Sequence, residues 1–263
     1  MKNINGILLL LIIFYSCENL NEPVGIQFGI SISSLLEANR NIQEIQLFQA
    51  LNLDDTIDYK YYGRHFIKGA QIKISENNNV YSNFALFEKN EMYNGKSFFY
   101  GNDSEFKIMP GNHYNLEIVA DEIRITGVTT VPGDFQILEP SKNKMKIEDI
   151  INMELSWTKS DSAYLYSWDY RIAYQSQSDS SIYHGFKVIP LPSGNYTENE
   201  RATFEYYYSI YMEIDSLLIS ITAYDKNAYN HFIKEDNNAG VTNAYGVFGS
   251  SVTKTAVIVI DKE

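Results

Sequence analysis

The side chains with chemistry to offer are few and scattered. The four histidines, His65, His113, His184 and His231, are too far apart for two to share a helical turn, so no HExxH-type zinc helix is spelled out. There is no G-x-S-x-G nucleophile elbow, no Walker loop and no G-x-G-x-x-G run. Carboxylates gather at Asp54, Asp55 and Asp58, a cluster that could serve glycoside hydrolysis but reads more simply as a solvated loop. That stretch and Asp236-Asn237-Asn238-Ala239-Gly240 offer hard oxygen ligands of the kind calcium takes, yet neither follows the twelve-residue EF-hand spacing. No catalytic residue, metal ligand or cofactor site is therefore assigned, and the chain is read as a non-enzyme. For ligand contact the candidates are Tyr59, Tyr61 and Tyr62, beside Arg64 and His65 in an expected loop. Aromatic faces there could stack on sugars or peptides; packing at a strand end is the plainer use of the same residues.

The lone cysteine is placed more pointedly. After a short positive start, Met1-Lys2-Asn3, an unbroken apolar run extends from Ile7 to Tyr15 and stops at Ser16-Cys17. Nine helical residues span ~14 Å at ~1.5 Å each, against ~30 Å of hydrocarbon in a bilayer, so the run is a secretory signal core and not a spanning helix. Cys17 follows a small residue where such a signal is cut. The junction resembles a bacterial lipobox, with Phe14 and Tyr15 bulkier than is usual. In that reading cleavage precedes Cys17, its thiol carries diacylglycerol and its amine is acylated. Several acyl chains give stable anchoring at ~0.8 kcal/mol per buried methylene. A plain signal peptide with an incidental thiol is the alternative. Residues 1–16 are then the signal and 17–25 a lipidated tether.

Charge bounds the partners. The 263 residues include 21 Lys and Arg against 33 Asp and Glu, a net charge of −12. Removing residues 1–16 takes away Lys2 and leaves −13. An acidic body lacks the clustered cations that nucleic acid requires, and it must be held at an anionic leaflet by lipid and not by a basic patch. A single Cys excludes an intramolecular disulfide framework.

The elements that must position any site are strands. Tyr (21) and Phe (14) are abundant, which suits pleated surfaces. Ile26–Ile32, Ile45–Phe48, Ala70–Ile74 with Tyr81–Phe87 as hairpin partner, Phe106–Ile108, and Tyr114–Ile118 with Ile123–Ile125 make about seven strands, a small sandwich over residues 26–132. Pro110-Gly111 fits a type II turn. Gly69 is expected to let a strand start beneath a close neighbour, and Gly246 and Gly249 to bulge the chain before the last strand. Val131-Pro132-Gly133-Asp134 reads as a linker. Over residues 133–263, Met153–Trp157 turns Trp157 inward, and Tyr164, Tyr166, Trp168, Tyr170, Ile172 and Tyr174 fall on one face of a long strand. Phe186–Ile189, Tyr206–Ile214 and Leu217–Tyr224 follow as strands, Asn227–Lys234 as one short helical turn, and Thr255–Ile260 as a strand apolar on both faces.

Two resemblances rest on these residues. Glu154–Trp157, Tyr164–Tyr174 and Ile219–Tyr224 resemble a fibronectin type III domain, with a core Trp on its second strand and a Tyr-rich third strand opposite. In chain order, the lipobox, Lys68–Ile74, Pro110–Leu116, Thr129-Thr130-Val131-Pro132 and Tyr245-Gly246-Val247-Phe248-Gly249 are similar to the Bacteroidota lipoproteins grouped as domain of unknown function 4249. That family usually has Gly where this chain has Ala244, and it supplies no catalytic residues. The resemblance implies an outer-membrane lipoprotein, anchored through acyl chains on Cys17 and assisting nutrient uptake beside a TonB-dependent transporter. The expectation is thus an all-β chain of two immunoglobulin- or fibronectin type III-like β-sandwich domains after a lipoprotein signal peptide. It acts as a lipid-anchored accessory or binding protein, on the periplasmic or the cell-surface face. The rivals are a surface adhesin and, more remotely, a carboxylate-dependent hydrolase.

Overall fold

The computed structural model describes residues 29–49, 65–77, 79–91, 95–102, 106–120, 122–150, 153–178, 181–189, 196–204 and 212–262. Alternation decides the first elements. β1 (Ile30–Ala38) buries Ile30, Ile32, Ser34, Leu36 and Ala38, and β2 (Glu44–Gln49) buries Ile45 and Leu47. That period of two marks strands with one face on a core. β3 (Gln71–Glu76), β4 (Asn79–Tyr81), β5 (Phe84–Glu91), β6 (Gly95–Asn102), β7 (His113–Ala120) and β8 (Ile123–Thr130) follow. The hairpin expected between Ala70–Ile74 and Tyr81–Phe87 is split: β4 pairs with β3 in one sheet, whereas β5 pairs with β6 in the other. Tyr81 and Phe84 both pack on the buried ring of Phe106, at centroid distances of 4.3 and 6.2 Å, so one aromatic anchor holds the crossing between layers.

The second half contains β9 (Ile137–Glu139), β10 (Lys144–Lys146), α1 (Ile147–Ile150), β11 (Met153–Trp157), β12 (Leu165–Ser178), β13 (Ser181–Ile189), β14 (Tyr196–Thr197), β15 (Arg201–Phe204) and β16 (Met212–Tyr224). After these come α2 (Lys226–Lys234), β17 (Asn238–Ala239), β18 (Val241–Thr242) and β19 (Tyr245–Asp261). The sheet β15-β11-β9 faces the run β13-β12-β16-β19 across a core where Trp157 lies 5.3 Å from Tyr166. This is the three-on-four layout of a fibronectin type III sandwich, built on the Trp and Tyr that the sequence pointed to. Tyr166, Tyr170 and Ile172 are buried as expected, but Tyr164 precedes the strand and is 48 % exposed. Residues 205–211 lie outside the described part, so only the end of the stretch Tyr206–Ile214 is seen, as the start of β16.

The first half pairs the sheet β18-β8-β7-β3-β4 with the run β1-β2-β6-β5. β19 links everything. Tyr245–Val252 pairs in parallel with β1, Ser251–Val259 pairs antiparallel with β16, and Val259–Asp261 pairs with β10. One hydrogen-bonded sheet therefore runs from β13 to β5 through strands from both halves of the sequence. Double burial falls at Val247–Val252, and not at Thr255–Ile260, where Val257 and Val259 face solvent. Residues 131–136 have no regular structure but are tied down. Gly133 N donates to Asp161 O at 2.7 Å, Ser160 Oγ donates to Gly133 O at 2.6 Å, and Lys254 pairs with Asp134 at 2.6 Å.

Two glycines are there for different reasons from those expected. Gly246 has φ +100°, and a Cβ there would sit 2.0 Å from the carbonyl oxygen of Ile32, its partner on β1. Instead of bulging the strand, Gly246 lets two backbones close on each other, and the β1 register continues through it and Gly249 without a shift. Gly69 has φ +92° but open space around its Cβ position, so backbone conformation and not packing requires it. Gly111, at φ +81°, fits the expected Pro110-Gly111 turn. The single helical turn expected over Asn227–Lys234 is a nine-residue helix, α2, because Asp225 caps it. No described helix is long and apolar enough to cross a membrane.

Candidate functional site

Strands that bury every second residue must present the others, and β3, β7 and β8 do so on the outer face of their sheet. The register sets these side chains in cross-strand rows. One row is Val80, Ser75, Asn115 and Val128; the next is Lys73, Glu117, Thr126 and Thr242. Together with Asn238 and Gly240 they line a cleft of about 720 Å3. Val80 and Val128, each 62 % exposed, give its first row an apolar surface.

A second cleft of about 400 Å3 opens where the ends of β7 and β8 meet Ser162, Tyr164 and the start of α2. Asn115 and Val128 line both, so the two are continuous. The junction is held by a buried knot. Asp225, 2 % exposed, accepts from Ala228 N at 2.9 Å through Oδ1 and from Thr129 Oγ1 at 2.6 Å through Oδ2. Thr129 Oγ1 also lies 2.8 Å from Ser250 Oγ, and Asp225 N donates to Ser250 O. Asn227 Nδ2 donates to the carbonyls of Val128 and Phe248. Burial pushes the Asp225 carboxyl above the usual range, while the donors from Thr129, Ala228, Ser250 and Asn227 pull it back.

The charged side chains lining the clefts are few. Each is lined by one carboxylate: Glu117, paired with Arg124 at 2.8 Å, and Asp225, enclosed by its donors. The two lining cations, Lys73 and Lys226, make no ion pair or hydrogen bond with another residue among those described. His113 Nδ1 lies 2.7 Å from Thr130 Oγ1.

Cys17, Tyr59, Tyr61 and Tyr62 lie outside the described residues, as do Asp54, Asp55 and Asp58. Just beyond that stretch, His65 O accepts from Gln49 N, and Phe66 is buried against Phe48, Phe98 and Tyr100. Lys68 sets its ammonium 4.3 Å above the Phe98 ring. The oxygens of Asp236 serve their own turn: Oδ1 accepts from Asn238 N at 2.9 Å, and the carbonyl lies 3.2 Å from His231 Nδ1. Among the described residues no three His, Cys, Asp or Glu side chains gather as a metal site would need.

The cleft residues escaped the sequence reading because residues 73, 115, 126 and 242 meet only through sheet pairing. Asp225 was legible: an Asp immediately before a helical stretch is an N-cap signal.

A comparison with curated proteins returns no match. Among solved structures, the crystal structure of the chicken CNTN1 FN1-FN3 domains is similar at 12 % identity, covering 89 % of this chain and 67 % of that one with a TM-score of 0.21. The family model described as Domain of unknown function (DUF4249) matches residues 29–255, a span that takes in both sandwiches and both clefts, and the chain belongs to that family.

Proposed function

We propose that this protein is a lipid-anchored outer-membrane accessory lipoprotein that holds a ligand for a neighbouring TonB-dependent transporter. The observation that carries the reading is the junction Ser16-Cys17. The chain's only thiol ends an apolar run too short to span a bilayer, at the place where a signal is cut and a lipid attached. The open polar cleft, whose cations are uncommitted, supports a binding role. The mechanism is local concentration: a tether at Cys17 keeps the cleft close to a membrane partner, so capture at the transporter becomes effectively intramolecular.

The anchor has a direct test. Labelled palmitate enters the wild-type chain, and Cys17→Ala abolishes the label and moves the protein to the soluble fraction; unchanged labelling refutes the reading. A pull-down from solubilised outer membranes then recovers a transporter. Recovery of extracellular matrix material alone would make the protein an adhesin.

A further inference from the structure

The cleft supports an inference about ligand class, which rests on the binding role just proposed. We propose that the continuous cleft over β3, β7, β8 and the start of α2 binds an acidic oligosaccharide. Three observations point there. The first is charge. On a chain with a net charge of −12, the uncommitted charges lining the cleft are two cations, Lys73 and Lys226, while its carboxylates are engaged by Arg124 and by the helix cap. The unengaged charge at the cleft surface is thus positive on an acidic body, and it favours an anion.

The second is the chemistry between those charges. Asn115, Thr126 and Thr242 are exposed, and their side chains make no hydrogen bond with other described residues. A free amide and free hydroxyls can both donate and accept, as a polyhydroxylated ligand requires. Tyr164, half exposed in the second cleft with its ring centroid 6.3 Å from that of Tyr229, offers an aromatic face on which a sugar ring can stack. The third is geometry. The floor crosses strands spaced ~4.8 Å apart, so five strands span ~19 Å, a length for an oligomer and not for a single ring. The floor is a sheet face, whose backbone groups are already paired across β3, β7 and β8. Among the described residues, the only edges of this sheet, β4 and β18, are three and two residues long, too short to give an acidic peptide the main-chain ladder such peptides use. The sugar reading uses what the surface does present.

Calorimetry on the purified full-length protein tests this with tetragalacturonate, a chondroitin sulfate tetrasaccharide, neutral cellotetraose and tetraglutamate. The expected result is saturable binding of at least one acidic sugar, weakening as salt rises, with cellotetraose and tetraglutamate weaker. Lys73→Gln and Lys226→Gln, both at exposed positions, each weaken that binding roughly two- to fivefold, as loss of one exposed charge contact does, and Tyr164→Ala weakens it further. Absence of saturable binding by both acidic sugars overturns the inference. So does equal binding of either control, or variants that fold yet bind as the wild type does. Binding is read on the purified chain and anchoring in cells, so a failure of Cys17 lipidation and a failure of sugar binding are told apart.

Discussion

At the scale of single residues, two buried acids, Asp225 and Tyr114, act with the same sign in different pH ranges. Asp225 is enclosed at the junction of β8, α2 and β19, and burial raises its carboxyl above the ordinary carboxylate range. A carboxyl raised on folding binds its proton more tightly in the native state. Its contribution is therefore complete below the unfolded value and is lost as pH rises through the folded one. Asp225→Asn keeps an acceptor for Ala228 N, places a donor against Thr129 Oγ1, and removes that pH dependence. Urea midpoints measured from pH 4 upward should change less steeply in Asp225→Asn than in the wild type, and identical profiles would refute the assignment. Asp225→Ala loses the cap and leaves Ala228 N without its acceptor, while Thr129 keeps only Ser250 Oγ, a cost of about 1–3 kcal/mol.

Tyr114 acts at the alkaline end. Its hydroxyl accepts from Met109 N at 3.0 Å, and burial pushes it up to about 12 from 10.0. The native state keeps this proton where the unfolded chain has lost it. Stability is thus full below pH 10 and falls as pH rises toward 12, by on the order of 2–3 kcal/mol. In Tyr114→Phe that alkaline slope should flatten, while stability at pH 7 drops because Met109 N loses its partner. A variant with the wild-type slope would show that another tyrosine carries it.

At the scale of elements, the close approach of β19 to β1 gives a paired test. Gly246 and Gly69 share a positive φ, but only Gly246 faces a backbone atom where a Cβ would go. Gly69→Ala should cost about 1–2 kcal/mol, the strain of the conformation alone. Gly246→Ala adds a collision with Ile32 O and should exceed about 3 kcal/mol, or prevent folding altogether. Thermal melts of the two variants separate the cases; equal losses would mean that β19 can shift away from β1.

The same strand shows how far the sequence is legible. Alternation found the first three residues of β1, and β3, β7, β8, β11 and the middle of β12, because each has one face on a core and one in solvent. It lost the first half of β19, since a strand buried on both faces has no alternation to show, and its glycines look like an interruption. The β4–β5 crossing was hidden for a related reason. Tyr81 through Phe87 reads as one hairpin strand, and only the position of Phe106 decides that it serves two sheets. The cleft was invisible, because polar residues facing solvent carry no periodic signal of their function. Asn115 and Thr126 acquire meaning only from the register that sets them near Lys73 and Thr242.

At the scale of the whole molecule, the question is whether the halves of the sequence are separable. Residues 238–252, late in the chain, supply β17, β18 and the part of β19 that pairs with β1. They cover Ile32 and Leu36 and close the sheet of β8 through Val241 and Thr242. A fragment ending at Pro132 would therefore leave β1 and β8 as open edges and expose apolar surface that the full chain buries, which favours aggregation over folding. A fragment starting at Gly133 keeps its fibronectin-like sheets but carries Tyr245–Val252 without a partner on one side. The expected outcome is that the first fragment, expressed alone, shows no cooperative urea transition, whereas the full chain unfolds in a single one. Adding a peptide of residues 238–252 should restore protection to the backbone amides of β1 in hydrogen exchange, because parallel pairing with β19 supplies their missing partners. A cooperative transition in the isolated first fragment would mean that β1 is stable as an edge. The sheet floor of the clefts could then be studied on that half alone, but not the clefts themselves, because Ser162, Tyr164, Asp225, Lys226, Asn227, Asn238, Gly240 and Thr242 come from the other half.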